Sequence, residues 1–284
     1  MLPRLAAILI LCLSFSVMRS QSFICGTEVP SNANALEQKS AVNKTFAYQS
    51  ISTCLHKTLS IHVIIVTDSL NSPGVTPGLI NQAVTYMNGF YAPVCLSFQV
   101  CSIDTVYSYR YNRWNRTTME AEFKVLYGKE NVINLVLVST ILVPGGAVGY
   151  APLGILMPPA PRKDIICIEK ASITPTCNVL PHEMGHYFGL YHPFETSLGV
   201  ELVNESNCAT TGDLLCDTPA AINPSPISGG CTWIGTTRDP NGDLYTPSMG
   251  NIMSYDPAGC TPFFTTGQYN RIIFAYLNFR TYLY

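Results

Sequence analysis

The run HEMGHYFGLYH, His182 to His192, constrains the fold of this chain more than any other stretch. Residues four apart lie on one face of an α-helix, one turn apart, so His182 and His186 meet at a single point only if the run begins as a helix. Gly189 lets the backbone leave that helix through a conformation that other residues resist. The turn can then bring His192 back as a third nitrogen donor. Glu183, next to the first histidine, is placed to hold a water rather than to bind metal. Three neutral nitrogens and an open fourth position define a catalytic rather than a structural zinc site. The plainer alternative is a core helix that carries histidines. Five positions are fixed in a chain with only 5 histidines and 20 glycines among 284 residues. Chance agreement is on the order of one in 10⁵ to 10⁶, which favours zinc.

The rest of the chain is long enough to enclose such a site. Hydrophobic residues make up 47% and charged residues 12%, with a formal net charge of -2. That composition buries a sizeable core in one generous domain, and the absence of basic runs argues against nucleic acid as a partner. At the N-terminus, Arg4 precedes an apolar run from Leu5 to Val17. The run is too short to span a bilayer but suits a signal peptide over 1–20. No later stretch is long and apolar enough to cross a membrane, so the expected location is extracellular. Ten cysteines follow Cys12, and an even number in an exported chain suggests disulfides.

Residues 21–56 are polar and turn-rich, as a pro-segment or N-terminal arm would be, and 57–284 reads as the catalytic domain. LSIHVIIVTD, from Leu59, is a β-branched run expected as a buried strand. TPGLINQAVTYMNGFY follows as a helix with Pro77 in its first turn. VCLSFQVCSI predicts a strand, TTMEAEFKVLYG a helix, and NVINLVLVSTIL, AVGYAPLG and DIICIEK further strands. The order predicts an α/β (α+β) layer, a mixed twisted sheet with helices in the N-terminal half. A helix over TCNVLPHEMGHYFG closes that half. From Pro193 to Pro262 the chain is irregular. It ends in a helix over TTGQYNRIIFAYLNF, where Thr265 and Gln268 stand at capping-box spacing.

Four motifs in order, HEMGHYFGLYH, TGDLLCDTPA, NIMSY and FFTTGQYNRI, resemble the pappalysin family of metzincin zinc metallopeptidases from about Thr176 to Ile273. Adamalysin-type relatives carry an aspartate directly after the third histidine, where this chain has Pro193. The resemblance implies a metzincin-like fold and a zinc-dependent endopeptidase acting on a protein or peptide substrate; a monomer without a membrane span is expected. It implies Met253 as the methionine of a tight turn beneath the metal and Tyr255 as an oxyanion donor. AVGYAPLG, if it is an edge strand, could hold an extended substrate by β-augmentation; an ordinary strand or loop is the alternative. A catalytically silent binding protein would not need an intact Glu183 and Tyr255.

Asp213, Asp217 and the Thr218 hydroxyl are hard oxygen donors suited to calcium, and the resemblance implies Ca2+ in this region, with Glu195 as a further ligand. The alternative is turn capping by those aspartates. It also implies a Cys231–Cys260 pair around the Met-turn. Cys208 with Cys216 would clip the calcium-candidate loop, and Cys167 with Cys177 would tie a strand to the zinc helix. Cys95 and Cys101 are too far apart to pair on a straight strand. Cys25, in ICGT, resembles the pro-segment cysteine whose thiolate fills the fourth position on zinc in zymogens of the family. The even cysteine count leaves a disulfide equally open. His56 and His62 are expected to be structural or solvent-facing.

Overall fold

A computed structural model describes residues 25–27, 53–68, 74–143, 145–154, 162–223, 227–228, 231–255 and 260–284. The expected signal peptide and nearly all of the 21–56 segment lie outside them. Period-two burial organises the centre. Along β1 (Lys57–Thr67), Leu59, Ile61, Val63 and Ile65 face one core, while Ile64 and Val66 face a second. β2 (Leu96–Tyr107), β3 (Ile133–Val138) and β5 (Ile165–Glu169) run parallel in the same sheet. Strands covered on both faces read as continuous apolar runs, as INLVLV and IICIE do. The two-residue β4 (Gly149–Tyr150) lies antiparallel on the edge, giving the order β2-β1-β3-β5-β4.

α1 (Pro77–Tyr91) connects β1 to β2. Thr76 caps it by accepting from the Leu79 N–H at 3.2 Å, and Pro77 sits in its first turn. It covers the first core together with α3 (Val179–Tyr187) and α4 (Thr266–Phe279). On the other side, α2 (Arg116–Tyr127) buries Phe123 against Trp114 and Tyr111. The predicted mixed sheet with helices is therefore present, as are the irregular second half and the terminal helix with its Thr265–Gln268 capping box. The expected single strand over NVINLVLVSTIL divides. Its end, Thr140–Ile141, pairs instead with Arg113–Trp114. Among the described residues no helix is long and apolar enough to cross a membrane.

Disulfides join Cys54–Cys95, Cys208–Cys216 and Cys231–Cys260. The expected Cys167–Cys177 bridge is absent and both thiols are free. The reason is the pleat: Cys167 on β5 faces the second core, while Cys177, ahead of α3, belongs to the first. The sheet lies between them.

His62 on β1 is buried, with Nδ1 3.1 Å from Asn134 Oδ1 and Nε2 2.8 Å from Asp104 Oδ2. Asn134 donates its amide hydrogens to the carbonyls of Lys129 and Asp164, so its oxygen faces the imidazole. The imidazole thus bridges side chains of the two strands that flank β1.

Candidate metal centre and cleft

α3 is short and wholly buried, and it ends where Gly189 takes φ +82. The Gly189 N–H donates to His186 O at 2.8 Å and Leu190 N–H to Gly185 O at 3.0 Å, closing the turn. His182 and His186 project from one face of α3, and the turn returns His192 to them. Their three Nε2 atoms lie 3.1, 3.1 and 3.3 Å from one another. Ligand nitrogens around a tetrahedral zinc at about 2.0 Å stand roughly 3.3 Å apart.

The hydrogen bonds fix two of the tautomers. His182 Nδ1 donates to Ile252 O and His186 Nδ1 to Leu190 O, each at 2.7 Å, leaving both Nε2 atoms as lone pairs. Burial lowers the His182 pKa to about 4 and that of His186 and His192 well below the usual value. Converging lone pairs on neutral rings repel unless a cation lies among them, so the donor set fits a zinc ion. The carbonyls behind His182 and His186 orient them as ligating histidines usually are.

Ile252 belongs to the turn that carries Met253. The Met253 sulfur lies against the zinc helix where a Cβ on Gly185 would collide with it. The turn is held by Asn251, whose Oδ1 accepts from Met253 N–H at 2.9 Å and from Gln268 Nε2 at 3.0 Å, while its Nδ2 donates to Gln268 Oε1 at 3.1 Å. Gln268 also completes the α4 capping box. One residue thus links the terminal helix to the turn beneath the histidines.

Glu183 is buried beneath the β4 edge, where a Cβ on Gly149 would stand 2.7 Å from its Oε1. Burial pushes its pKa up to about 8. Its Oε2 faces the Cys25 thiol at 3.5 Å and the Thr27 hydroxyl at 3.3 Å. Its Oε1 has no hydrogen-bond partner among the described residues. Cys25–Thr27 lies along the strand edge: Gly26 N–H donates to Gly149 O at 2.7 Å, and Thr27 bonds Ala151 through its hydroxyl. The Cys25 sulfur is within 4.8 Å of all three Nε2 atoms. Tyr255 donates its hydroxyl to Cys25 O at 3.2 Å and accepts from Cys25 N–H at 3.1 Å. Burial and the Cys25 sulfur keep that phenol protonated. Phe194, which sequence reasoning passed over, stacks on His192 at 4.7 Å and meets Tyr255 at 4.8 Å.

The calcium-candidate residues divide. Asp213 is buried and accepts from Leu215 N–H at 2.9 Å and the Thr218 hydroxyl at 2.7 Å. Asp217 instead accepts from the Thr265 hydroxyl at 3.1 Å and Gly267 N–H at 2.6 Å, at the start of α4. Glu195 accepts from the Ser197 N–H and hydroxyl. Asp217 thus caps α4 and Glu195 a local turn. Glu201, missed from sequence, is buried against Gly212 with neither carboxylate oxygen hydrogen-bonded among the described residues. Burial and the neighbouring Asp213 push its pKa up to about 9.

Residues 165–276 match the family described as Pregnancy-associated plasma protein-A, a metallopeptidase family. Residues 79–193 match a reprolysin-like metallopeptidase family. An extracellular metalloprotease of Pyricularia oryzae is 28% identical over 280 residues, covering 91% of this chain and 90% of its own length. One from Neurospora crassa is 26% identical over 295 residues, covering 92% and 90%. A mutant of Tannerella forsythia promirolysin shares the fold, with TM-score 0.58 at 14% identity over 91% of this chain and 96% of its own.

Proposed function

The chain belongs to the pappalysin family of metzincin zinc metallopeptidases and is a zinc metalloendopeptidase, and from that premise we propose that His182, His186 and His192 hold the ion while Glu183 and Tyr255 handle the proton and the oxyanion. The observation that carries this reading is the convergence of three Nε2 atoms beside a buried carboxylate, one oxygen of which has no hydrogen-bond partner among the described residues. Bound there, zinc supplies Lewis acidity to a water and to the scissile carbonyl. Glu183 Oε1 takes the proton of the attacking water and later delivers it to the leaving amine. Tyr255, kept protonated by burial, donates to the oxygen that becomes negative. β4 offers the strand edge along which a peptide is held by main-chain hydrogen bonds.

Cys25–Thr27 is the latency segment in this reading. It takes the Gly149 carbonyl, both ends of Tyr255's hydrogen-bonding capacity and one oxygen of Glu183. Without a cation, burial and the Glu183 charge push the Cys25 thiol up, so a thiolate there needs the metal's charge. The relatives named extracellular metalloproteases and the apolar N-terminal run support secretion. Calcium beside Glu201 and Asp213 is supported by the two Glu201 oxygens, which have no hydrogen-bond partner among the described residues, and by the hard-donor preference of that ion.

The test is Glu183→Ala. It should retain stoichiometric zinc by elemental analysis and lose about 10²–10⁴-fold in peptide hydrolysis. Full hydrolysis in the variant would refute the mechanism.

A further inference from the structure

A groove of about 780 Å³ adjoins the cleft beyond Cys25–Thr27, between one face of α2, from Arg116 to Lys124, and Leu142, Val143, Gly146 and Ala147 ahead of β4. Its charged lining residues are Arg116, Glu120 and Lys124. Glu120 is already occupied. Its Oε1 pairs with Lys124 Nζ at 2.5 Å, and its Oε2 meets Arg116 Nε at 3.5 Å and accepts from the Tyr150 hydroxyl at 2.7 Å. Tyr150 in turn accepts from Trp114 Nε1 at 2.7 Å, which fixes the carboxylate. Two cations therefore share one fixed anion, and the groove carries an excess positive charge.

Arg116 is also held in place. Its guanidinium lies 4.7 Å over the Tyr150 ring, and Tyr150 follows Gly149, the residue that bonds the chain's own segment in the cleft. The segment seated there shows where an extended peptide runs. Side chains of such a peptide alternate between its two sides, so one that leaves the line toward α2 enters the groove.

We propose that this groove is a charge-selective subsite in which Arg116 and Lys124 receive the carboxylate of an Asp or Glu side chain of the substrate, close to the bond that is cut. The proposal rests on the peptidase reading above and names a substrate class for it. Arg116 and Lys124 act as specificity-determining residues, and the gain comes from complementary charge rather than from new apolar area.

Cleavage-site profiling of the active enzyme on a peptide library tests it. Asp or Glu should be enriched over Lys and Arg by about fivefold or more at one position within three residues of the cut. Lys124→Glu should remove or invert that enrichment, and Arg116→Gln should reduce it. In the unmodified enzyme, raising the salt from 0.05 to about 0.5 M should weaken the enrichment, which keeps the test open should a variant fold poorly. Cleavage without acidic enrichment, or enrichment unchanged in Lys124→Glu, would overturn the subsite alone. A zinc-loaded enzyme that cuts nothing would instead overturn the peptidase reading beneath it.

Discussion

At the scale of single residues, the centre depends on what is missing as much as on what is present. Gly185 has no Cβ because the Met253 sulfur occupies that space. Gly185→Ala should therefore cost about 1–3 kcal/mol through overpacking, measured by denaturant unfolding, and should lower zinc affinity by displacing the Ile252 carbonyl from His182. The three histidines and Glu183 were legible because helical spacing and one glycine turn determine where they point. Phe194 was not, since its stacking on His192 exists only after the turn at Gly189 reverses the chain. Glu201 was hidden for a similar reason. Its neighbour Asp213 is twelve residues away in irregular backbone, where no period relates one side chain to another.

At the scale of elements, apolar runs predicted the sheet well, because strands covered on both faces need little more than continuous β-branched residues. The failures came where pairing partners decide the outcome. Thr140–Ile141 leaves the main sheet for Arg113–Trp114, and Cys167 and Cys177 end on opposite sides of it. Polar ties between elements were equally out of view. His62 joins β1 to Asp104 on β2 and Asn134 on β3. His62→Leu should destabilise the chain by about 1–3 kcal/mol, because it removes the bonds to Asp104 and Asn134 that tie three strands together, each worth about 0.5–1.5 kcal/mol; thermal and denaturant unfolding would report it. Asn251 and Gln268 bond to each other twice. A double-mutant cycle of Asn251→Ala and Gln268→Ala should give a coupling of roughly 0.5–3 kcal/mol, and strict additivity would count against a linked Met-turn and terminal helix.

At the scale of the whole molecule, stability should depend on calcium in a pH-dependent way. Burial and Asp213 push Glu201 up to about 9, and burial pushes Asp213 up to about 7. Raised carboxylate pKa values mean that the calcium-free fold holds protons the unfolded chain releases from pH ~4 upward. Their contribution is present below pH ~4 and is lost as pH rises through 7 and 9. Calcium bound there would stabilise the anionic forms and should remove this decline. Melting curves from pH 5 to 9 in EGTA should fall progressively below those in calcium. A loss on the order of 2 kcal/mol lowers Tm by roughly 4–8 °C in a chain of this size, and parallel curves would count against the site.

At the same scale the proposed latency and the proposed catalysis meet in one place, since Cys25 adjoins the three histidines, Glu183 and Tyr255 together. Zinc K-edge absorption on the full-length chain and on Cys25→Ala tests this centre directly. Three nitrogen neighbours at about 2.0 Å and one sulfur at about 2.3 Å are predicted for the full-length chain. In Cys25→Ala the sulfur should be replaced by oxygen while the three imidazoles stay. A zinc shell without three imidazoles, or no zinc at all, would contradict the account.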